Sequence, residues 1–247
     1  MYILHIELRG LTASFRVPHM FKYHRSLPLP PYTSIVGMFG AAVGKCYATA
    51  QTLFELLGLE VGIAGSYSGT GHDTWRVLTT SPYSDTDVVE RQFFYKPHYH
   101  LLFASKDEQA IALCENAFRY PYYPLSLGRP DDLANAIVYP RFEAETVPVT
   151  SLRNTVITGT PAAQIQDSLL DPSDPTDHGP STLLYRLPIR FRFPDGASQY
   201  RVACEFRDFT FIGPHAITIR GAITGIRVSV VMSGYTSLLE IPLLECK

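Results

Sequence analysis

Two short stretches set cations beside aromatic or small residues in a pattern suited to a polyanion. Residues 15–25 include Phe15, Arg16, His19, Phe21, Lys22, Tyr23, His24 and Arg25. Guanidinium and ammonium groups meet phosphates, and interleaved rings offer faces on which unstacked bases lie. The plain reading of such a segment is a charged surface loop. The charge balance favours RNA contact instead: the first fifty residues hold Arg9, Arg16, Lys22, Arg25 and Lys45 against one carboxylate, Glu7, in a chain of net charge -2. The second stretch is Ser126-Leu127-Gly128-Arg129. Its small residues let backbone N–H groups approach a phosphate, and Arg129 supplies a bidentate cation. A turn with one arginine is common, so this loop gains weight only beside the first.

Other chemistries find less support. His98-x-His100 puts two imidazoles on one strand face, a spacing zinc uses, but no third ligand lies within sequence reach. His98 is also a candidate general base or RNA contact, against the plain reading of exposed strand polarity. Asp131-Asp132 has the composition of a metal site and equally of a solvated loop or helix cap. Gly65-Ser66-Tyr67-Ser68-Gly69 has the outline of a nucleophile elbow with tyrosine where serine is needed. Neither a Walker lysine motif nor G-x-G-x-x-G occurs. Cys46, Cys114, Cys204 and Cys246 are scattered without a C-x-x-C, which fits reduced thiols in a cytoplasmic protein. No cofactor is expected.

These groups must be held by a chain of 247 residues that is 46% hydrophobic and 18% charged, enough apolar matter for a packed core. Sixteen arginines against five lysines favour planar recognition of phosphates and bases. Nineteen prolines and 17 glycines argue against a helical bundle. The uncharged run from Ser26 to Gly44 is broken by Pro28, Pro30 and Pro31, so it reads as a buried helix rather than a membrane span.

The elements follow from periodicity. Residues 2–9 alternate as a strand, with Tyr2, Leu4, Ile6 and Leu8 on its apolar face. A helix capped by Thr33 or Ser34 runs to Leu57, with Gly58 as its C-cap, and Gly37, Gly40 and Gly44 permit packing on a sheet. Residues 61–65, 74–80 and 93–104 are strand-like, with a polar tip at 81–92 between the last two. A second helix spans Glu108–Phe118 behind Asp107, and residues 136–147 are a further strand. The order is β-α-β-β-α-β, an α+β fold of the ferredoxin-like or RRM-like kind with a long β-hairpin thumb at about 74–104. The expected organisation is a 1–150 domain, a 151–182 flexible loop or linker, and a β-rich portion over 183–247. The linker is read from Asp167, Asp171, Asp174 and Asp177, four prolines and no Lys or Arg between 159 and 182. Strands at 183–193, 200–211 and 217–231 either complete the sheet or form a small β subdomain.

The run Phe15-Arg16 followed by Leu27-Pro28-Leu29-Pro30-Pro31-Tyr32-Thr33-Ser34-Ile35-Val36-Gly37-Met38-Phe39-Gly40-Ala41 resembles the opening of the CRISPR-associated Cas-five family. Leu127-Gly128-Arg129-Pro130-Asp131-Asp132-Leu133 is similar to the family's later Leu-Gly-Arg loop, about ninety residues on and in the required order. The family belongs to the RAMP superfamily, and the resemblance is nearest its I-B branch. It covers residues 1–150 well and the rest poorly. It implies a non-catalytic subunit of a type I Cascade surveillance complex. Such a subunit caps the repeat-derived 5′ handle of the guide RNA and contacts the backbone and large subunits. It meets target DNA only indirectly, through the complex, and has no membrane role. Under that resemblance the RNA-contacting residues are Arg16, His19, Lys22, Tyr23, His24, Arg25, Tyr32, Arg91, Lys96, His98, Ser126, Gly128 and Arg129.

One branch of the family trims precursor guide RNA without metal, through a tyrosine near the entry to the first helix and a Lys-His pair. Here Leu27 precedes Pro28, Tyr32 lies past the proline pair, and Pro97 separates Lys96 from His98. Metal-independent endoribonuclease activity is therefore the alternative reading. A third is a stand-alone RNA-binding protein.

Overall fold

The computed structural model describes residues 1–18, 20, 22–78, 86–160, 182–194, 200–232 and 235–244. In chain order its elements begin with β1 (Tyr2–Gly10), β2 (Thr12–Ala13), β3 (Phe15–Arg16), β4 (Tyr23–His24) and β5 (Ser26–Leu27). Next come α1 (Tyr32–Val43), α2 (Tyr47–Leu56), β6 (Glu60–Ser66), β7 (Gly69–Leu78), β8 (Thr86–Tyr95), β9 (His98–Ser105) and α3 (Glu108–Arg119). The remainder is strand: β10 (Ala134–Val138), β11 (Phe142–Glu143), β12 (Val147–Leu152), β13 (Thr155–Thr158), β14 (Thr182–Arg192), β15 (Val202–Ile212), β16 (Ile217–Met232) and β17 (Tyr235–Pro242).

The main sheet runs β10-β1-β9-β6-β13-β15-β14, every pairing antiparallel, with β11 beside β1. The fold is α+β, with three helices among the described residues. Leu4, Ile6 and Leu8 of β1 and Tyr99, Leu101 and Phe103 of β9 face the helices, where Ile35, Phe39, Phe54, Ile111 and Phe118 close the main core. The opposite face is not a solvent face. Ile3, Leu102 and Ala104 pack on Ile226, Val228 and Ile241 of a second sheet, β12-β16-β17, and on Leu243 just beyond it. Two covered faces explain why β1 is buried from Ile3 through Leu8, His5 and Glu7 included.

The strands expected at 183–193, 200–211 and 217–231 take both options read from the sequence, since the first two extend the main sheet as β14 and β15 while the third, β16, pairs with β17 in the second one. Within the segment read as a linker, β13 sits inside the main sheet, its Thr155 hydroxyl donating to the Ile63 carbonyl at 2.7 Å. Residues 161–181 lie outside the described residues.

The long first helix is in fact two. Gly44 adopts the left-handed conformation (φ 68) and ends α1, and a Cβ there would sit 2.6 Å from the Tyr122 ring. Gly40 serves a helix–helix contact rather than a sheet, since its missing Cβ would lie 2.8 Å from Ala50 Cβ of α2. The helix starts on Pro31, whose carbonyl receives Ser34 N–H and Ile35 N–H, so neither Thr33 nor Ser34 is the cap. The second expected helix stands as α3, with Asp107 accepting from Gln109 N–H at 2.8 Å.

The protruding hairpin is β7-β8, paired from Gly69↔Tyr95 to Leu78↔Thr86. Most of the expected 81–92 tip is therefore paired strand, and residues 79–85 lie outside the described residues. The expected 93–104 strand breaks at Lys96, whose φ of 48 turns the chain before β9 returns to the core.

Candidate nucleic-acid interface

The segment between β1 and α1 is fixed by long-range pairing. β2 pairs antiparallel with β8, β4 pairs parallel with the same strand, and β3 pairs with β5. Ser14 N–H donates to the Leu127 carbonyl at 2.9 Å, which joins the segment to the 126–133 loop. The cation-aromatic stretch is thus held between the hairpin and the later loop.

Where the three meet, a cleft of about 300 Å³ opens, lined by Ser14, Arg16, His24, Arg25, Ser26, Trp75, Val89, Arg91, Gln92 and Arg129. Four arginines converge there from segments far apart in sequence. At the base, Arg91 faces Asp73 across the hairpin. Its Nε donates to Asp73 Oδ1 at 2.8 Å and Nη2 donates to Oδ2, a two-point fork. Trp75 Nε1 donates to Asp73 Oδ2 at 3.1 Å. The Arg91 guanidinium lies 4.0 Å from the indole centroid and that of Arg129 lies 5.4 Å away. Trp75 nevertheless keeps 45% of its surface exposed, leaving room for another planar group.

The opposite wall rests on a buried carboxylate. Asp132, 2% exposed, accepts from Thr12 Oγ1 at 2.6 Å and Ser14 Oγ at 2.5 Å. Arg129 Nε donates to Ser14 Oγ at 2.7 Å and lies 3.6 Å from Asp132 Oδ2. Arg129 Nη1 is buried without a hydrogen-bond partner among the described residues. Asp132 is therefore a structural acceptor, not a loop carboxylate awaiting metal. Gly128 serves the packing: at φ 114 its Cβ would meet the Ser14 carbonyl oxygen at 1.9 Å.

The remaining singled-out residues scatter around this centre. Arg16 Nη2 donates to the Met20 carbonyl at 3.1 Å. Lys22 is exposed, and its carbonyl accepts Glu90 N–H at 3.2 Å. Tyr23 Oη is 2.9 Å from His72 Nε2. Ser126 bridges Leu133 at the foot of the loop. Tyr32 is not on the cleft; it packs edge-on to Phe54, ring centroids 5.9 Å apart. Lys96 lies over the Tyr95 ring. Because Lys96 stands outside β9 at positive φ, the strand repeat that would align it with His98 does not reach it. His19 lies outside the described residues. Trp75, Asp73, Gln92 and Ser14 were not read from the sequence as site residues. The available signal was the chain's single tryptophan, set in a polar strand.

His98 belongs to a separate cluster on the second-sheet side. Its Nε2 is 2.6 Å from Glu7 Oε1, Arg9 also pairs with Glu7, and Tyr139 Oη donates to Glu7 Oε2 at 2.9 Å. His5 Nε2 lies 3.1 Å from His100 Nδ1, and His5 stacks on Tyr139 at 4.7 Å. Burial drives both His5 and His100 down to about 4, so both rings are neutral near pH 7. Burial opposes the Glu7 charge, yet Tyr139, Arg9 and His98 together hold it below the usual carboxylate range. Among the described residues, no group of three or more His, Cys, Asp or Glu is placed to hold a metal ion. No helix among them is long and apolar enough to cross a membrane.

An α+β fold built on a mostly antiparallel sheet, with an arginine-lined cleft at the foot of a hairpin, defines a protein suited to a polyanionic ligand. The chain belongs to the CRISPR-associated protein (Cas_Cas5) family, whose sequence model matches residues 3–201. Among solved structures, a chain of a CRISPR RNA-guided surveillance complex is 16% identical over 85% of this chain and 91% of that one, with a TM-score of 0.50. A chain of the Type III-B Cmr-beta complex bound to cognate target RNA and AMPPnP is 13% identical over 87% and 86%, at 0.48. A chain from a crystal structure of a Cas protein is 20% identical at 0.36, over 52% of this chain; the present chain spans 57% of its length. No curated protein matches the chain.

Proposed function

We propose that the protein is a non-catalytic subunit of a type I CRISPR Cascade surveillance complex, binding and capping the repeat-derived 5′ handle of the guide RNA and linking it to the backbone and large subunits. The observation that carries this reading is the convergence of Arg16, Arg25, Arg91 and Arg129 around an exposed indole. Guanidinium groups beside an open ring face are what a splayed single strand requires of its binder, and they leave sequence reading to guide pairing. Family membership supports the setting, and the strand order β10-β1-β9-β6 supports a ferredoxin-like core over its first four strands.

The test is salt-dependent binding of a single-stranded repeat RNA. The triple variant Arg16→Glu, Lys22→Glu, Arg25→Glu is expected to bind more weakly and with a shallower salt slope, by roughly 0.7 for each phosphate that is no longer neutralised. An unchanged slope would remove this cleft from the RNA path.

A further inference from the structure

Beside the arginine-lined cleft lies a second cavity of about 340 Å³, within the size range of small-ligand pockets. The two share Arg25, Ser26 and Gln92 as walls, so they are neighbouring compartments. Their chemistry differs. The second is walled by the Tyr67–Phe94 ring pair, centroids 4.1 Å apart, and by Leu183 and Phe211. Its polar side chains are the amides of Gln92 and Asn154 and the hydroxyls of Ser66 and Thr70, besides Arg25 and Ser26 at the wall shared with the cleft. Gln92 Oε1 accepts Ser26 N–H at 3.1 Å, which fixes the amide and leaves its NH₂ group to donate. Asn154, at φ 48 in the turn before β13, brings a second amide whose side chain has no hydrogen bond among the described residues.

We propose that this second compartment receives one unstacked base of the RNA strand whose phosphates run through the arginine-lined cleft, with Gln92 and Asn154 reading the base edge. The inference rests on the cleft being the RNA path. A flat ring with polar edges matches a chamber walled by two close, mutually tilted rings and two amides, and Arg25 at the shared wall meets the phosphate between the two compartments. An apolar side chain of a neighbouring subunit would use the rings and leave both amides unanswered.

The experiment compares full-length protein with Thr70→Trp and Gln92→Ala. Thr70 is exposed, lines the cavity and pairs across the hairpin with Phe94, so a tryptophan there fills the chamber without touching the core. The probes are single-stranded ribo-oligomers of each base, and an oligomer of the same length with abasic residues. The expected result is that Thr70→Trp lowers the wild-type preference for intact over abasic RNA by roughly tenfold, the worth of one stacked base, with the salt slope unchanged. Gln92→Ala is expected to level affinities among the four bases. If Thr70→Trp keeps the full preference while binding stays salt-dependent, the base chamber falls and the cleft reading stands. If Thr70→Trp leaves RNA binding intact but blocks association with a neighbouring subunit, the chamber holds protein and the proposal is overturned. If no salt-dependent binding to either oligomer is found, the cleft reading falls and this inference with it.

Discussion

Asp73 and Arg91 are partners in register across the β7-β8 hairpin, and their two-point pair fixes a guanidinium 4.0 Å from the centre of the Trp75 ring. The cation is therefore held over the indole instead of sweeping through solvent, and one face of the cleft is preorganised.

Trp75 is the chain's sole tryptophan, so its emission reports this cleft alone. Single-stranded RNA is expected to quench it. Asp73→Asn is expected to cost only about 1 kcal/mol of stability, because the pair is partly exposed, yet to weaken RNA binding and reduce the quench. Fluorescence titration checks this; emission indifferent to RNA in the wild type would place the strand elsewhere.

The wall opposite depends on Asp132 and Gly128. Asp132→Ala strands the Thr12 and Ser14 hydroxyls and the Arg129 charge, and is expected to cost about 2–3 kcal/mol. Gly128→Ala requires positive φ and a 1.9 Å approach to a carbonyl, and is expected to cost at least about 2 kcal/mol. Arg129→Ala is expected to act mainly on RNA, by about 1.5–3 kcal/mol of binding. Urea unfolding beside RNA titration separates the two effects. Equal stability losses for Arg129→Ala and Asp132→Ala would show that Arg129 is only a structural partner.

The histidine pair predicts an acid-sensitive core. His5 and His100, 3% and 2% exposed, titrate near 4 when folded and near 6.5 when unfolded. The unfolded chain therefore takes up protons first as pH falls. Stability is complete above about 6.5 and declines toward 4, by up to about 1.4 kcal/mol per pH unit for each ring. Glu7, held below its usual range by Tyr139, Arg9 and His98 despite its burial, adds a loss in the same direction at lower pH. His100→Gln is expected to flatten the profile between 6.5 and 4. Thermal midpoints across that range measure it; a level wild-type profile would contradict the burial argument.

RNA cleavage needs a base for the 2′-hydroxyl and a group to stabilise developing charge. His98 faces Glu7 in a cluster apart from the cleft, and Lys96 is turned out of its strand. Incubation with repeat RNA in excess chelator is expected to give no discrete product. A product at the 5′ boundary of the handle that disappears in His98→Ala would establish the endoribonuclease alternative.

Sequence alone determined whatever depends on one period or one local cap. The alternation of Tyr2, Leu4, Ile6 and Leu8 made a strand. Asp107 before an apolar repeat made α3, the Pro-Pro entry with its glycine-rich helix and the later Leu-Gly-Arg loop pointed to the family, and interleaved cations and rings marked residues 15–25. What needed tertiary structure was anything set by pairing between distant strands. That Gln92 and Trp75 stand with Arg25 follows from β4 running parallel to β8, a register no local pattern announces. The burial of His5 and Glu7 depended on residues distant in sequence, since Tyr139 stacks on His5 and donates to Glu7 while His98 and His100 complete the cluster. The division of α1 from α2 turned on Tyr122, nearly eighty residues away, filling the space above Gly44. Gly128, legible as a small residue near a phosphate, proved to be small because Ser14 lies against it.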